Sequence, residues 1–289
     1  MNAEIDLISE SLNRVFADYV DAESGHHQGM QEWPESLWKT IEEMKFNQSP
    51  LGQLAVTSAR AIGRFAIPLS LSENIIVSNM LEKNKINGIN GPYGLLFQSQ
   101  AAELNLDTSK KLSGRIAGIP WAPNCKIFVV CCHDTLLLID SSDCQFIPSN
   151  NIAGEARDTV ILDKVSIIDK VVGVSEQSIF LEAALLKASQ ITGALEKLLN
   201  MSLDYVLNRK QFGRSISKFQ VIQHQLAVLA GHVASAEAAV QTAATSNCDP
   251  IAVGSAKAMA SSAAGDAAAP LGSSALLSTA PLRLAERSL

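Results

Sequence analysis

A guanidinium, an aromatic ring and a glycine fall within one short stretch, at Arg209, Phe212 and Gly213. Arg209 offers a planar fork of N–H donors that matches phosphate oxygens in pairs, so its chemistry suits a pyrophosphate. Phe212 presents a face to a planar ring, and Gly213 lets the chain break sharply between two helices. Arg209, Lys210 and Arg214 form the densest basic cluster of a chain whose formal net charge is -6. A structural alternative stands beside this reading: Arg209 and Gln220 hold an interhelix turn by donating to free carbonyls. His224, placed in an apolar stripe, reads as a hydrogen-bonded structural residue rather than a catalytic one.

The elements that must position these groups follow from periodicity. Phe219, Ile222, Leu226, Leu229, Val233, Ala236 and Val240 step by three and four, a helical seam for bundle packing. The preceding helix repeats the pattern at Leu181, Leu185, Ala188, Leu195, Leu199 and Val206, and residues 209–217 join the two. From about Ala256 an Ala/Ser-rich segment extends a third bundle helix to about Ala269. Beyond Pro270 periodicity is lost, and an irregular tail is expected.

Upstream, Ile8, Leu12, Val15, Phe16 and Tyr19 share a helix face. Trp33-Pro34 opens a second helix with Leu37, Ile41 and Met44 on its stripe. A third runs from Leu54 towards Phe65, and a fourth from Ser72 to Leu81, with Ser72 and Glu73 as its starting signals. Between Gly91 and Gly173 the pattern changes to short β-prone runs at 94–97, 127–132, 135–139 and 159–168. His133-Asp134 reads as a hairpin turn and Asp163-Lys164 as a bend. The spacing is too short for βαβ crossovers and predicts a small antiparallel sheet or barrel. The expected class is α+β, mainly α: an N-terminal helical domain (1–90), a small antiparallel β-domain (91–173) and a C-terminal helical bundle with an irregular tail (174–289).

Composition narrows the partners. Hydrophobic residues make up 47% and charged residues 18% of 289 residues, a globular balance. An acidic chain without a basic face argues against nucleic acid. There is no apolar run long enough for a membrane span, and the acidic N-terminal stretch is unlike a signal peptide, so a cytoplasmic location is expected. Five cysteines without a CxxC pair suggest buried free thiols and no metal site.

The stretch from Leu195 to Ala230 resembles the C-terminal helical domain of acyl-CoA dehydrogenases, whose hallmark is a Tyr followed by RxQFGxxIxxFQxxQHxLA. Tyr205, Arg209, Gln211, Phe212, Gly213, Ile216, Phe219, Gln220, Gln223, His224, Leu226 and Ala227 fall on it. Weaker echoes lie at 59–74, with Gly63, Arg64, Pro68 and Glu73, and at 112–130. The resemblance implies that Arg209, Gln211, Phe212, Ile216 and Gln220 contact the ADP half of FAD, often across a subunit interface. It also implies an acyl-CoA thioester as substrate, a homo- or hetero-oligomer with a related subunit, and an electron-transfer flavoprotein as electron acceptor.

That reaction needs a desolvated carboxylate to take the α-proton while flavin takes the β-hydride. The family's usual Glu, in a loop between the last two bundle helices, has no counterpart here. An ungapped count puts the alternative position at Ala183, with Glu182 one residue and about 100 degrees away around the helix. Glu196 and Glu237 read as solvated surface acids. The Thr-Glu-Pro-Gly-like loop and the Gly-Gly turn of the family are absent too. Two readings follow: an FAD-dependent acyl-CoA dehydrogenase with Glu182 as weak base candidate, or a non-catalytic subunit that completes a partner's FAD site.

Overall fold

The computed structural model describes residues 2–23, 32–50, 52–108, 110–151 and 154–271. The irregular tail expected beyond Pro270 lies almost wholly outside the described residues. The chain forms two compact units, each assembled from separated segments: Met1–Ala22, Gly52–Ile67 and Ala184–Leu289 in one, Glu23–Leu51 and Pro68–Ala183 in the other.

The helical unit contains α1 (Asn2–Glu23), α3 (Gln53–Phe65), most of α5 (Glu176–Asn208), α6 (Gln220–Thr245) and α7 (Pro250–Leu271). Leu12 and Phe16 of α1 are fully buried, and Phe16 packs on Phe65 of α3 at 6.2 Å. Burying a side chain of that size stabilises by about 1.5–3 kcal/mol. The seam on α6 is buried at Leu229, Val233, Ala236 and Val240 but only half-buried at Phe219, Ile222 and Leu226. On α5, residues 188–195 are buried on every side. A helix hidden all round must meet its neighbours closely, and Gly193 does so against the α3 backbone.

The second unit holds α2 (Glu35–Glu43), α4 (Leu71–Lys83) and a seven-stranded sheet. Pro34 is the N-cap of α2, while Met44 lies at its C-cap, past the buried stripe of Leu37, Trp38 and Ile41. The start of α4 corrects the Ser72 expectation: Ser70 is the N-cap, and Ser72 is buried within the first turn. Asn74, fully buried, ties α4 to the sheet. Its Oδ1 accepts the Tyr93 N–H at 2.8 Å, and its Nδ2 donates to the Tyr93 carbonyl at 3.3 Å.

The strands are β1 (Tyr93–Phe97), β2 (Ala101–Leu106), β3 (Lys111–Pro120), β4 (Ile127–Cys132), β5 (Thr135–Asp140), β6 (Gln145–Ile147) and β7 (Arg157–Val172). Their order is β1-β4-β5-β7-β3-β2, with β6 also on β7. Pairing is antiparallel except between β1 and β4, which run parallel because the β2–β3 excursion lies between them in the chain. His133-Asp134 closes the β4–β5 hairpin, and the Asp163-Lys164 bend is a bulge in the 16-residue β7, with Lys164 at φ 53°. Phe128, Leu96, Ile116, Ile139 and Val160 centre the apolar core beneath the sheet.

Candidate functional site

The link between α5 and α6 is a miniature hairpin. Lys210–Gln211 (β8) pairs with Arg214–Ser215 (β9), leaving Phe212 and Gly213 as the two-residue turn. Both have positive φ, 52° and 75°, as a type I′ loop requires. Glycine meets this freely, whereas phenylalanine does so at a steric cost. Phe212 is also 90% exposed, although its ring touches Phe219 edge-on at 6.2 Å.

The base of the hairpin is locked from within. The Arg209 N–H donates to the Tyr205 carbonyl and its own carbonyl accepts from the Ile216 N–H, both at 2.9 Å. The Ser215 hydroxyl donates to the Val206 and Leu207 carbonyls at 2.8 and 3.1 Å, so serine, not Arg209 or Gln220, caps the end of α5. Gln223 Nε2 donates to the Ser217 carbonyl at 2.9 Å. The capping expected of Arg209 and Gln220 is therefore done by Ser215 and Gln223.

The Arg209 side chain is left exposed, with no ion pair or hydrogen bond to another described residue. Gln211 and Gln220 are likewise exposed, and Ile216 is half-buried. Arg214 lays its guanidinium 4.4 Å over the Phe219 ring, a cation–π contact that fixes a second positive group. Lys210 and Lys218 are exposed, and no acid occurs between Asp204 and Glu237. The N-cap of α6, Phe219, supplies no side-chain acceptor to the first helical turn. Uncapped N–H groups, the helix dipole and a free guanidinium make this a donor set that fits a diphosphate.

His224 corrects its expectation: it is exposed, because the apolar stripe passes through Ile222 and Leu226 instead. Glu196 and Glu237 are also corrected. Arg60 donates from Nε and NH2 to Glu196 Oε2, both at 3.1 Å, and pairs with Glu237 through NH1. Arg64 reaches Glu196 Oε1 at 3.1 Å. These acids are structural ties among α3, α5 and α6, not solvated surface groups.

Glu182 is half-buried on α5, and burial raises its carboxyl above the usual range, with Lys83 opposing the shift. Burial raises the thiols of Cys125, Cys131, Cys132 and Cys144, with Cys132 pushed up to about 11 and Cys144 to about 12. They are unsuited to nucleophilic work. Among the described residues no helix is long and apolar enough to cross a membrane.

Residues 174–276 match the family model described as acyl-CoA dehydrogenase, C-terminal domain. That region of the chain is similar to the C-terminal domain of acyl-CoA dehydrogenases. The matched region contains the hairpin described above. Acyl-CoA dehydrogenase IpdE2 of Mycobacterium tuberculosis is 41% identical over 61 residues, which is 21% of this chain and 19% of that relative's length. The acyl-CoA dehydrogenase fold extends much further than this local identity. The ChsE4–ChsE5 complex from Mycobacterium tuberculosis superimposes at TM-score 0.82 and 16% identity, over 96% of this chain and 90% of that one. PigA with FAD and proline superimposes at TM-score 0.76 and 17% identity, covering 99% and 92%.

Proposed function

We propose that this chain is a subunit of an FAD-dependent acyl-CoA dehydrogenase whose Arg209 hairpin holds the diphosphate of FAD and completes the flavin site of a related chain. The single observation that carries the reading is Arg209 itself, an exposed guanidinium without a partner among the described residues, on a rigidly bonded turn. A side chain serving only the fold would be spent on a carbonyl or carboxylate, and here Ser215 has taken that work.

FAD, when bound, supplies the hydride acceptor for α,β-oxidation of an acyl-CoA thioester. The residues of this chain would bind and orient it. Arg209 grips the diphosphate in a bidentate manner, the first turn of α6 adds N–H donors, and Phe212 packs against the nucleotide. Gln211 and Gln220 supply polar contacts and Ile216 an apolar one. An oligomer with a related chain fits the exposed Phe212, which is held clear of its own unit's core, and the likeness to a two-protein complex. An electron-transfer flavoprotein would then re-oxidise the assembly.

A second reading keeps catalysis within this chain, with Glu182 as base. Its raised carboxyl supports this, since a general base works best with a pKa near the working pH.

Purification separates the two. The chain alone should be colourless and should gain flavin absorbance on co-expression with an acyl-CoA dehydrogenase chain of its source. Yellow protein from the chain alone, bleached by acyl-CoA, would favour the second reading. Absence of flavin in both preparations would reject both.

A further inference from the structure

The long strand β7 is paired on both sides for only part of its length. Its first half lies between β3 and β6, and its second half pairs with β5 from Ile167 to Val172. The β3 pairing ends at Ser166, so among the described residues no strand lies on the far side of β7 at 168–172. The Gly173 N–H donates to the Asp134 carbonyl at 2.8 Å, which directs that amide towards the β4–β5 hairpin. Amides alternate in direction along a strand, so those of Val172 and Lys170 face the open side. The Lys170 N–H accordingly donates to its neighbour's side chain, Asp169 Oδ1, at 2.8 Å. An unpaired row of backbone donors and acceptors is a template for another extended chain.

That edge borders a cleft. A hollow of about 560 Å³ lies between the edge and the loop that follows α4, from Asn84 to Ile89. Ile89 and Ile168 also line an adjoining hollow of about 500 Å³ that reaches Lys126. Among the described residues no backbone hydrogen bond joins the loop to the edge, so the loop is a wall and not a paired strand. Lys85 on the loop and Lys170 on the edge face the larger hollow, and neither has an ion pair among the described residues. The acid beside them, Asp169, is already engaged by the Lys170 N–H. Ile168 and Val172 are 53% and 69% exposed, large apolar groups left bare on either side of Lys170.

We propose that the β7 edge takes an extended segment of another protein as an added strand, with an acidic residue opposite Lys170 and aliphatic residues to either side. The guest's carbonyls accept the N–H groups of Lys170 and Val172, displacing the Asp169 carboxylate. Its acid pairs with Lys170, Lys85 adds a second positive charge from the loop wall, and its aliphatic groups cover Ile168 and Val172. A second copy of this chain is a poorer guest. In the two-fold antiparallel register that overlaps 168–172 most fully, Lys170 would stand opposite Lys170 of the other copy. Like charges placed so destabilise a strand pair. The inference is independent of the Arg209 hairpin, which lies in the other unit.

The test is fluorescence anisotropy on the full chain with a fluorescein-labelled peptide, Thr-Val-Thr-Glu-Thr-Val-Thr, at low salt. Replacing the peptide's glutamate by lysine should weaken binding about tenfold. Lys170→Glu should reverse that preference. Val172→Pro removes an edge donor while keeping the Gly173 bond to Asp134, and it should abolish binding. Should that variant not fold, the peptide N-methylated at its valines and glutamate should fail to bind the wild-type chain. Arg209→Ala should leave the affinity unchanged. Absence of binding, equal affinity for the two peptides, or an unreversed preference in Lys170→Glu would overturn the proposal. Displacement of the peptide by inorganic phosphate but not by chloride at matched ionic strength would also overturn it, by making the cleft an anion site. So would a dimer in sedimentation that Val172→Pro dissociates, since the edge would then belong to a second copy.

Discussion

Gly63 of α3 and Gly193 of α5 bring their two helices into backbone contact. A Cβ on Gly63 would stand 1.8 Å from the Gln190 carbonyl oxygen, and one on Gly193 would stand 2.0 Å from that of Arg60. No rotamer change relieves a clash with backbone, so the helices themselves must separate. Gly63→Ala and Gly193→Ala should each destabilise the fold by about 3 kcal/mol, the upper end for overpacking. Gly231→Ala on α6, where nothing lies within 4 Å, should instead stabilise by about 0.5–1 kcal/mol. Thermal unfolding of the three variants checks the contrast.

The ion network on those helices makes a graded prediction. Among the described residues Glu196 accepts from two arginines, whereas Glu237 accepts from Arg60 alone. Half-buried pairs fall between exposed and buried limits, so Glu196→Gln should cost about 1–2 kcal/mol and Glu237→Gln less than about 1 kcal/mol. A double-mutant cycle on Arg60 with each acid should give the larger coupling to Glu196.

The hairpin tip sets stability against function. Phe212 occupies a position with φ 52° that an Asn-Gly turn would fill more comfortably. Phe212→Asn should therefore stabilise the isolated chain by about 0.5–1 kcal/mol. If the ring packs on the nucleotide, the same change should lower flavin content of the assembled protein. A variant both more stable and fully loaded would remove Phe212 from the site.

Much of this architecture was legible because its signals are local. The helix stripes at Leu12 and Phe16, at Leu37 and Ile41, and from Leu229 to Val240 are periodic within single elements, and burial follows them. Strands β4 and β5 were visible as apolar runs around His133-Asp134. Strands β2 and β3 were not, because Gly114, Gly118, Arg115 and Asn105 interrupt them and their stability comes from pairing with distant residues. The same distance hid the Glu196 network: its arginine partners lie 132 and 136 residues away, and sequence shows charge without showing what faces it. At the site, Arg209 and Gly213 were recognisable by type and spacing. That Ser215 would do the capping, and so leave the guanidinium free, depends on a hairpin only coordinates reveal.

Glu182 gives a pH dependence with a definite sign. Burial raises its carboxyl in the folded chain, so between its unfolded and folded pKa values the folded state binds more protons. Stability should fall as pH rises through that window, just above the ordinary carboxylate range, and stay reduced at neutral pH. Glu182→Gln should remove this slope and raise neutral-pH stability, as read by denaturant midpoints across the acid range. An unchanged pH profile would mean that the acid is solvated, which would also weaken it as a base.

The most direct test of the central claim is the flavin-to-protein ratio of the co-expressed assembly carrying Arg209→Ala, compared with wild type and with Arg209→Lys. We expect native assembly and unfolding temperature in all three, flavin content sharply reduced in Arg209→Ala, and only partial recovery with lysine, which lacks the bidentate fork. Full flavin occupancy in Arg209→Ala would contradict the account.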